Sequence, residues 1–191
     1  FTSLLCSFAI KAREELLLGD KVNDVLVTGA TGGVGSIAVM ILSKLGYNVT
    51  AITGKNDKSD YLKSLGAKNI IERKEFEGEA KLLGKGLWDC AVDTVGGNVL
   101  SNVISQTKPN GIVAACGNAG GIKLNTSVMP FIIRGVKLWG VDSVTVSKKR
   151  REFVWSQVEK LVDFKLLEKN TKIVSLEELL NIFPEMLNGK T

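Results

Sequence analysis

The chain has 191 residues, of which 45% are apolar and 24% charged, with 20 Gly, 3 Pro and a formal net charge of +5. Such a balance suits one folded domain with a sizeable core and argues against a disordered chain. It has no histidine, which excludes within this chain a Cys/His zinc set, Ser-His-Asp catalysis and a histidine general base.

Residues 1–10 are apolar, with their charges after rather than before them, the wrong order for a secretory signal, and they are too short to span a bilayer. There is no initiator methionine, so the chain is expected to be a piece of a longer one that starts inside a helix. Residues 25–28 then form a short apolar strand that runs into a glycine cluster, VLVTGATGGVG over 25–35, and 36–45 continue as a buried helix. In a strand, tight turn and helix start of this kind, backbone N–H groups and the positive end of the helix dipole converge on one point, which suits a phosphate or pyrophosphate. Gly32 and Gly33 let the main chain approach a ligand, and Gly35 lets the helix pack closely on its strand. A second strand at 49–53 stands at the spacing that a βαβ unit requires.

Further strands are expected at 69–71, 89–93, 111–116 and 136–141. Helices are expected at 57–65, 97–107, 147–164 and 175–187. Strand alternating with helix means parallel pairing with right-handed crossovers, and six such strands predict a doubly wound α/β Rossmann sheet of order 3-2-1-4-5-6 whose crevice lies at the carboxyl ends of the strands. Gly46, Gly66 and Gly111 fall where a left-handed residue is needed. No repeat beyond the two halves and no low-complexity linker is visible. Cys6, Cys90 and Cys116 are odd in number, far apart and in apolar surroundings, so they read as buried, inert, reduced thiols of a cytoplasmic protein. The basic run Lys148-Lys149-Arg150-Arg151 opens a helix; it reads as a solvated face, with an anionic ligand or nucleic acid as the alternative, and no aromatic residues are interleaved with it for base stacking.

At the end of the second strand, an NAD enzyme usually offers Asp or Glu to the ribose 2′-hydroxyl. This chain offers Thr53, Gly54 and Lys55, a hydroxyl, an open backbone and a cation, which suit a 2′-phosphate and hence NADP. Asp57 reads as the start of the next helix, its charge at the positive end of the dipole. Asp93 reads as a structural turn acid, with a place beside the ligand crevice as the alternative. The turn alone does not choose a family. GxGxxG is broken by Ala30, and the short-chain dehydrogenase pattern TGxxxGxG is also matched, but its Tyr-x-x-x-Lys pair is missing: Tyr47 is followed four later by Ala51, and Tyr61 by Leu65.

The pieces TGATGGVGS, ITGK, YLKSLGAKNII, AVDTVGG, VAACGNAGG, VMPFIIRGVKLWGVDSV and LNGKT, in this order, resemble the nucleotide-binding domain of the medium-chain dehydrogenase/reductase superfamily. The resemblance is to the zinc-free, quinone-oxidoreductase-like branch, nearest the acrylyl-CoA reductase group, and covers nearly the whole chain. It implies an NADPH-dependent oxidoreductase that reduces an activated C=C bond of an enoyl thioester, enone or quinone. It also implies a GroES-like catalytic domain that precedes this chain and carries the second wall of the substrate pocket, with 1–20 as the interdomain linker helix and 170–191 as a C-terminal stretch that packs toward that domain. The rival reading is a non-catalytic NADPH-binding module or sensor. Carried over as cofactor contacts are Thr31, Gly32, Gly33 and Val34 at the pyrophosphate, Thr53, Gly54, Lys55 and Arg73 at the adenosine phosphate, then Asn118, Ile132, Ser143 and Asn188. No catalytic residue and no metal ligand is assigned. The resemblance further implies a homodimer through edge pairing of the last strand, with neither nucleic acid nor a membrane as partner.

Overall fold

A computed structural model of the chain describes residues 1–16, 22–169 and 171–187. Short runs, apolar and hidden on both faces at the centre of the sheet but exposed at its two edge strands, form a single parallel sheet: β1 (Asp24–Val27), β2 (Asn48–Thr53), β3 (Asn69–Glu72), β4 (Trp88–Asp93), β5 (Thr107–Ala115) and β6 (Lys137–Gly140). Their order is β3-β2-β1-β4-β5-β6, as the alternation of strand and helix predicts. The helices among the described residues are α1 (Thr2–Leu16), α2 (Gly33–Lys44), α3 (Ser59–Ser64), α4 (Gly97–Ser105), α5 (Met129–Arg134), α6 (Lys148–Leu161), α7 (Phe164–Lys169) and α8 (Leu179–Leu187).

The two-residue period of a strand divides the core. Val25, Val27, Val49, Ala51, Cys90 and Val92 point to one face and pack with α1, α2 and α6, while Leu26, Ile52, Ala91 and Val113 point to the other and pack with α4, Phe76 and Trp88. At the amino ends of the strands, Asp89 accepts from the N–H groups of Asn23 (3.0 Å) and Asp24 (2.9 Å). Lys108 bridges Asp24 (2.9 Å) and Asp89 (3.4 Å), and it holds the Asp24 carboxyl below its ordinary range. That edge of the sheet is thereby clamped, and the carboxyl edge is left for a ligand.

Several expected bounds shift. The helix expected over 57–65 is a 3-10 turn, Asn56–Lys58, followed by α3. The long helix expected over 147–164 stops at Leu161, because Val162 is extended (φ −96°, ψ 131°) and Asp163 accepts from Leu166 N (3.1 Å) to start α7. The run expected over 175–187 is helical only from Leu179. The apolar run before β6, for which the pattern predicts no element, forms α5. Strand β5 begins at Thr107 rather than 111, with a register shift against β4 between Trp88 and Cys90. Gly46 and Gly66 do take left-handed backbone (φ 92° and 102°), but at the third position it is Asn110 (φ 59°), not Gly111, that turns the chain. Gly111 is needed for space, since a Cβ there would lie 2.3 Å from Thr107 Cγ2 and 2.5 Å from Asp89 O.

Leu26 has no exposed surface at the centre of the sheet. Leu26→Ala is expected to cost about 3 kcal/mol in a urea titration, whereas Leu82→Ala, at a side chain 71% exposed, should shift the midpoint little.

Candidate dinucleotide site

The order of the sheet reverses between β1 and β4, and crossovers leave their carboxyl ends in opposite directions. A cleft of about 1140 Å³ opens there, where doubly wound folds bind their ligands. Its floor is the turn from β1 into α2. Thr28 N donates to Val92 O (3.0 Å), Ala30 N to Ile52 O (3.0 Å) and Gly32 N to Gly29 O (2.9 Å), so the turn is held by the strands on either side. Gly32 caps α2 without a side-chain hydrogen bond, which leaves the first-turn N–H groups to an anion. A Cβ on Gly35 would stand 2.2 Å from Gly29 O, whereas one on Gly33 would meet nothing within 4 Å. Gly35 therefore serves the close approach of helix to turn, and Gly33 borders open space.

Beneath the turn lies a buried polar knot. Thr28 Oγ1 donates to Asp93 Oδ1 (2.7 Å) and accepts from Thr94 N (3.0 Å), Thr94 Oγ1 donates to Thr28 O (2.9 Å), and Gly96 N donates to Asp93 Oδ2 (2.8 Å). Burial pushes the Asp93 carboxyl above its ordinary range, and donors from Thr28, Gly96 and Val95 oppose that rise. Asp93 thus joins the two turns that line the cleft. Of its two earlier readings, the turn acid describes its bonds and the place beside the crevice describes its position. The opposite wall comes from the segment after β5, where Gly120 N donates to Val95 O (2.7 Å) and Gly121 bridges Gly96.

At the end of β2, Thr53 Oγ1 contacts Thr31 Oγ1 (3.1 Å) and accepts from Lys55 N (3.0 Å). Arg73 Nε donates to Glu77 Oε1 at 2.7 Å. Its guanidinium lies against Gly54, where a Cβ would sit 3.1–3.4 Å from Cζ, Nη2 and Nη1. This end of the cleft presents two cations and one paired carboxylate.

Thr31, Gly32, Gly33, Thr53, Gly54, Lys55 and Arg73 all line this one cleft. Val34 does not; it lies in α2, and its carbonyl accepts from Ser3 Oγ (2.8 Å). Asn118 lines a separate, open hollow of about 510 Å³ between the ends of β5 and β6, with Cys116, Gly117 and Asp142. Ile132 is 72% exposed on α5 and borders neither space, so core packing does not account for it. Ser143 lies in the loop after β6, its carbonyl accepting from Arg151 Nη2 (3.1 Å). Asn188 falls outside the described residues. The sequence reading missed Glu77 and the loop from Thr94 to Val99; the glycine pair in AVDTVGG was the available signal for the loop, and the spacing of four from Arg73 was the one for Glu77.

The fold and cleft define a Rossmann-type α/β domain with a glycine turn at the switch point. Residues 33–162 match the family model described as zinc-binding dehydrogenase, and the chain belongs to that family, within the medium-chain dehydrogenase/reductase superfamily. It is 43% identical over 190 residues to a probable acrylyl-CoA reductase of Escherichia coli and 41% identical over 192 residues to a putative quinone oxidoreductase of Bacillus subtilis. Each match covers 100% of this chain and 57% of the relative. Among solved structures, the YhdH oxidoreductase of Salmonella enterica in complex with NADP superposes with a TM-score of 0.92 at 42% identity, over 100% of this chain and 57% of that one. The YhfP protein of Bacillus subtilis, solved with NAD bound, gives 0.86 at 39% identity, over 99% and 57%. The chain thus spans little more than half the length of these relatives.

The family description carries a metal that the described residues do not fit. No three His, Cys, Asp or Glu side chains among them converge as a metal set would, and the chain has no histidine.

Two outcomes follow from the turn and the knot. Gly35→Ala should destabilise the fold by about 1–3 kcal/mol through the clash with Gly29, while Gly33→Ala should leave the urea midpoint unchanged or slightly raised. For Asp93, a folded-state pKa above the ordinary 3.8 adds stability below that value that is lost as pH rises through the raised pKa. Asp93→Asn lacks this titration, so the stability difference, parent minus variant, should fall as pH rises from 3.8 through that window; a pH-independent difference would contradict the assignment.

Proposed function

We propose that this chain is the cofactor-binding half of an NADPH-dependent, zinc-independent reductase acting on an activated C=C bond of an enoyl thioester, enone or quinone. The observation that carries the reading is the joining, in one cleft, of a glycine turn at a helix start with Thr53, Lys55 and Arg73 at the end of β2. The residues fit the group. Gly33 borders open space at the turn, and no carboxylate occupies the end of β2 where an NAD site places one. When bound, the dinucleotide supplies the two-electron reducing equivalent.

The chain's own residues bind and orient. First-turn N–H groups of α2 hold the pyrophosphate; Thr53 Oγ1, Lys55 and Arg73 take the 2′-phosphate through charge-assisted bonds. The hollow at Asn118 and Asp142 borders the space for the acceptor. Asp142 keeps its charge well below the ordinary carboxylate range, because Thr145 Oγ1 and the N–H groups of Val144 and Thr145 donate to it. In this reading a preceding GroES-like domain supplies the other wall and the proton for the reduced substrate, with 1–20 as the link and 170–191 turned toward it, although 17–20, 170 and 188–191 lie outside the described residues. The oligomer in this reading is a cytoplasmic homodimer joined at β6, an edge strand whose Leu138 and Trp139 are exposed. Among the described residues, no helix is long and apolar enough to cross a membrane.

Fluorescence titration with both cofactors tests the reading. Each charge-assisted bond is worth about 1.5–3 kcal/mol, so NADPH should bind roughly ten- to a hundredfold more tightly than NADH. The gap should narrow in Lys55→Ala, close or reverse in Lys55→Asp, and shrink in high salt, because the Arg73 side chain is 48% exposed. Equal affinities in the parent chain, or no response at Lys55, would remove the 2′-phosphate assignment.

A further inference from the structure

Arg73 stands where the cleft meets the end of β2, and its guanidinium is held from two directions. Gly54 sets the plane. A Cβ on Gly54 would lie 3.1 Å from Cζ, 3.2 Å from Nη2 and 3.4 Å from Nη1. With the central carbon nearest and the two nitrogens almost as far as each other, that point lies over the flat face of the group and not at one of its N–H edges. Glu77 sets the rotation within the plane, because Nε donates to Glu77 Oε1 at 2.7 Å. A guanidinium carries five N–H groups in a rigid fork. One is taken by Glu77, and among the described residues Arg73 makes no bond through Nη1 or Nη2.

Glu77 reaches Arg73 from a fixed base. The segment from Arg73 to Phe76 is a 3-10 turn that follows β3, with Phe76 buried in the core. Helix α4 ties this turn down with two amides: Asn98 Nδ2 donates to Glu77 O (2.9 Å), and Asn102 Nδ2 donates to Phe76 O (3.1 Å) and Gly78 O (2.8 Å). Asn102 is itself buried. The main chain at Glu77 is thus held by three carbonyl contacts, although its side chain and that of Arg73 are each half-exposed. Arg73, Glu77, Asn98 and Gly54 all border the same cleft.

We propose, resting on the NADPH reading, that Glu77 is a positioning residue for cofactor selectivity: it aims the Nη edge of Arg73 at the 2′-phosphate. Two effects of this carboxylate oppose one another. Its charge repels a phosphate, but the group is half-exposed and engaged by Nε, so water and salt screen much of that repulsion. Its hydrogen bond holds a long side chain in one rotamer before the ligand arrives. Leaving such a side chain to be ordered by the ligand weakens binding by about two- to tenfold, and a guanidinium that turns in its plane also loses the paired geometry that suits a phosphate. Aim therefore outweighs repulsion. NADH has no phosphate at this position and feels neither effect, so the influence of Glu77 falls on the ratio of the two affinities.

The experiment is a fluorescence titration of the purified chain with NADPH and with NADH, in the parent, Glu77→Ala, Glu77→Gln, Arg73→Ala and the double variant Arg73→Ala/Glu77→Ala. Alanine removes both the charge and the acceptor, whereas glutamine removes the charge and keeps an acceptor oxygen for Nε. Glu77→Ala should weaken NADPH by about five- to tenfold and leave NADH within about twofold. Glu77→Gln should bind both cofactors within about twofold of the parent. In the Arg73→Ala background, loss of Glu77 should bring no further weakening, because the residue acts through Arg73. Urea midpoints should stay near the parent's, as both side chains are half-exposed. Unchanged or tighter NADPH binding in Glu77→Ala, equal weakening of NADPH and NADH, a Gln variant as weak as the Ala variant, or a further loss in the Arg73→Ala background each overturns the proposal. A parent chain that binds NADPH no more tightly than NADH overturns the 2′-phosphate reading and this inference with it; a parent that prefers NADPH, with the preference intact in Glu77→Ala, overturns the inference alone.

Discussion

The hydrogen bond from Thr28 to Asp93 holds the carboxyl edge of this sheet together. It joins the ends of β1 and β4, the two strands between which the chain reverses its direction of winding, and both partners are buried. Around it the turn into α2 is positioned by Thr28 and the turn into α4 by Gly96. Two glycine-rich loops that never contact by sequence thus form one surface. A buried carboxylate is costly unless its oxygens are paired, and here both accept donors, one from a side chain and one from backbone. The same group that shapes the cleft therefore depends on the loops being in place.

The two edges of the sheet divide their work by charge. At the amino edge, Lys108 is engaged by Asp24 and Asp89, one cation between two carboxylates, and ties three strands. At the carboxyl edge, Lys55 and Arg73 border the cleft with Glu77 beside them.

Much of this arrangement was legible in the sequence, because it rests on local signals. The period of strand and helix gave the parallel sheet and its order, and the glycines at 32, 33 and 35 marked the turn. What was not legible depends on residues meeting across the fold. The Thr28–Asp93 bond, between residues 65 apart, has no signature along the chain. Gly111 is the instructive miss: a glycine before a strand suggested a left-handed turn, yet Asn110 carries that conformation and Gly111 is small because Thr107 and Asp89 crowd it. The helix α5 was missed because VMPFIIR is short and apolar throughout, so neither period stands out. Val162 ended α6 early with no Gly or Pro to announce it. Ile132, Ser143 and Val34 lie outside the main cleft, and the resemblance that nominated them carried no information on the geometry that would bring them to it.

The packing of Arg73 on Gly54 limits how this site can change. A side chain introduced at position 54 would place its Cβ 3.1–3.4 Å from a guanidinium that is tethered to Glu77, so the arginine would have to give by a few tenths of an ångström. Positions 54 and 73 thus answer to one another: any side chain at 54 shifts the cation at 73, and the tether to Glu77 resists that shift.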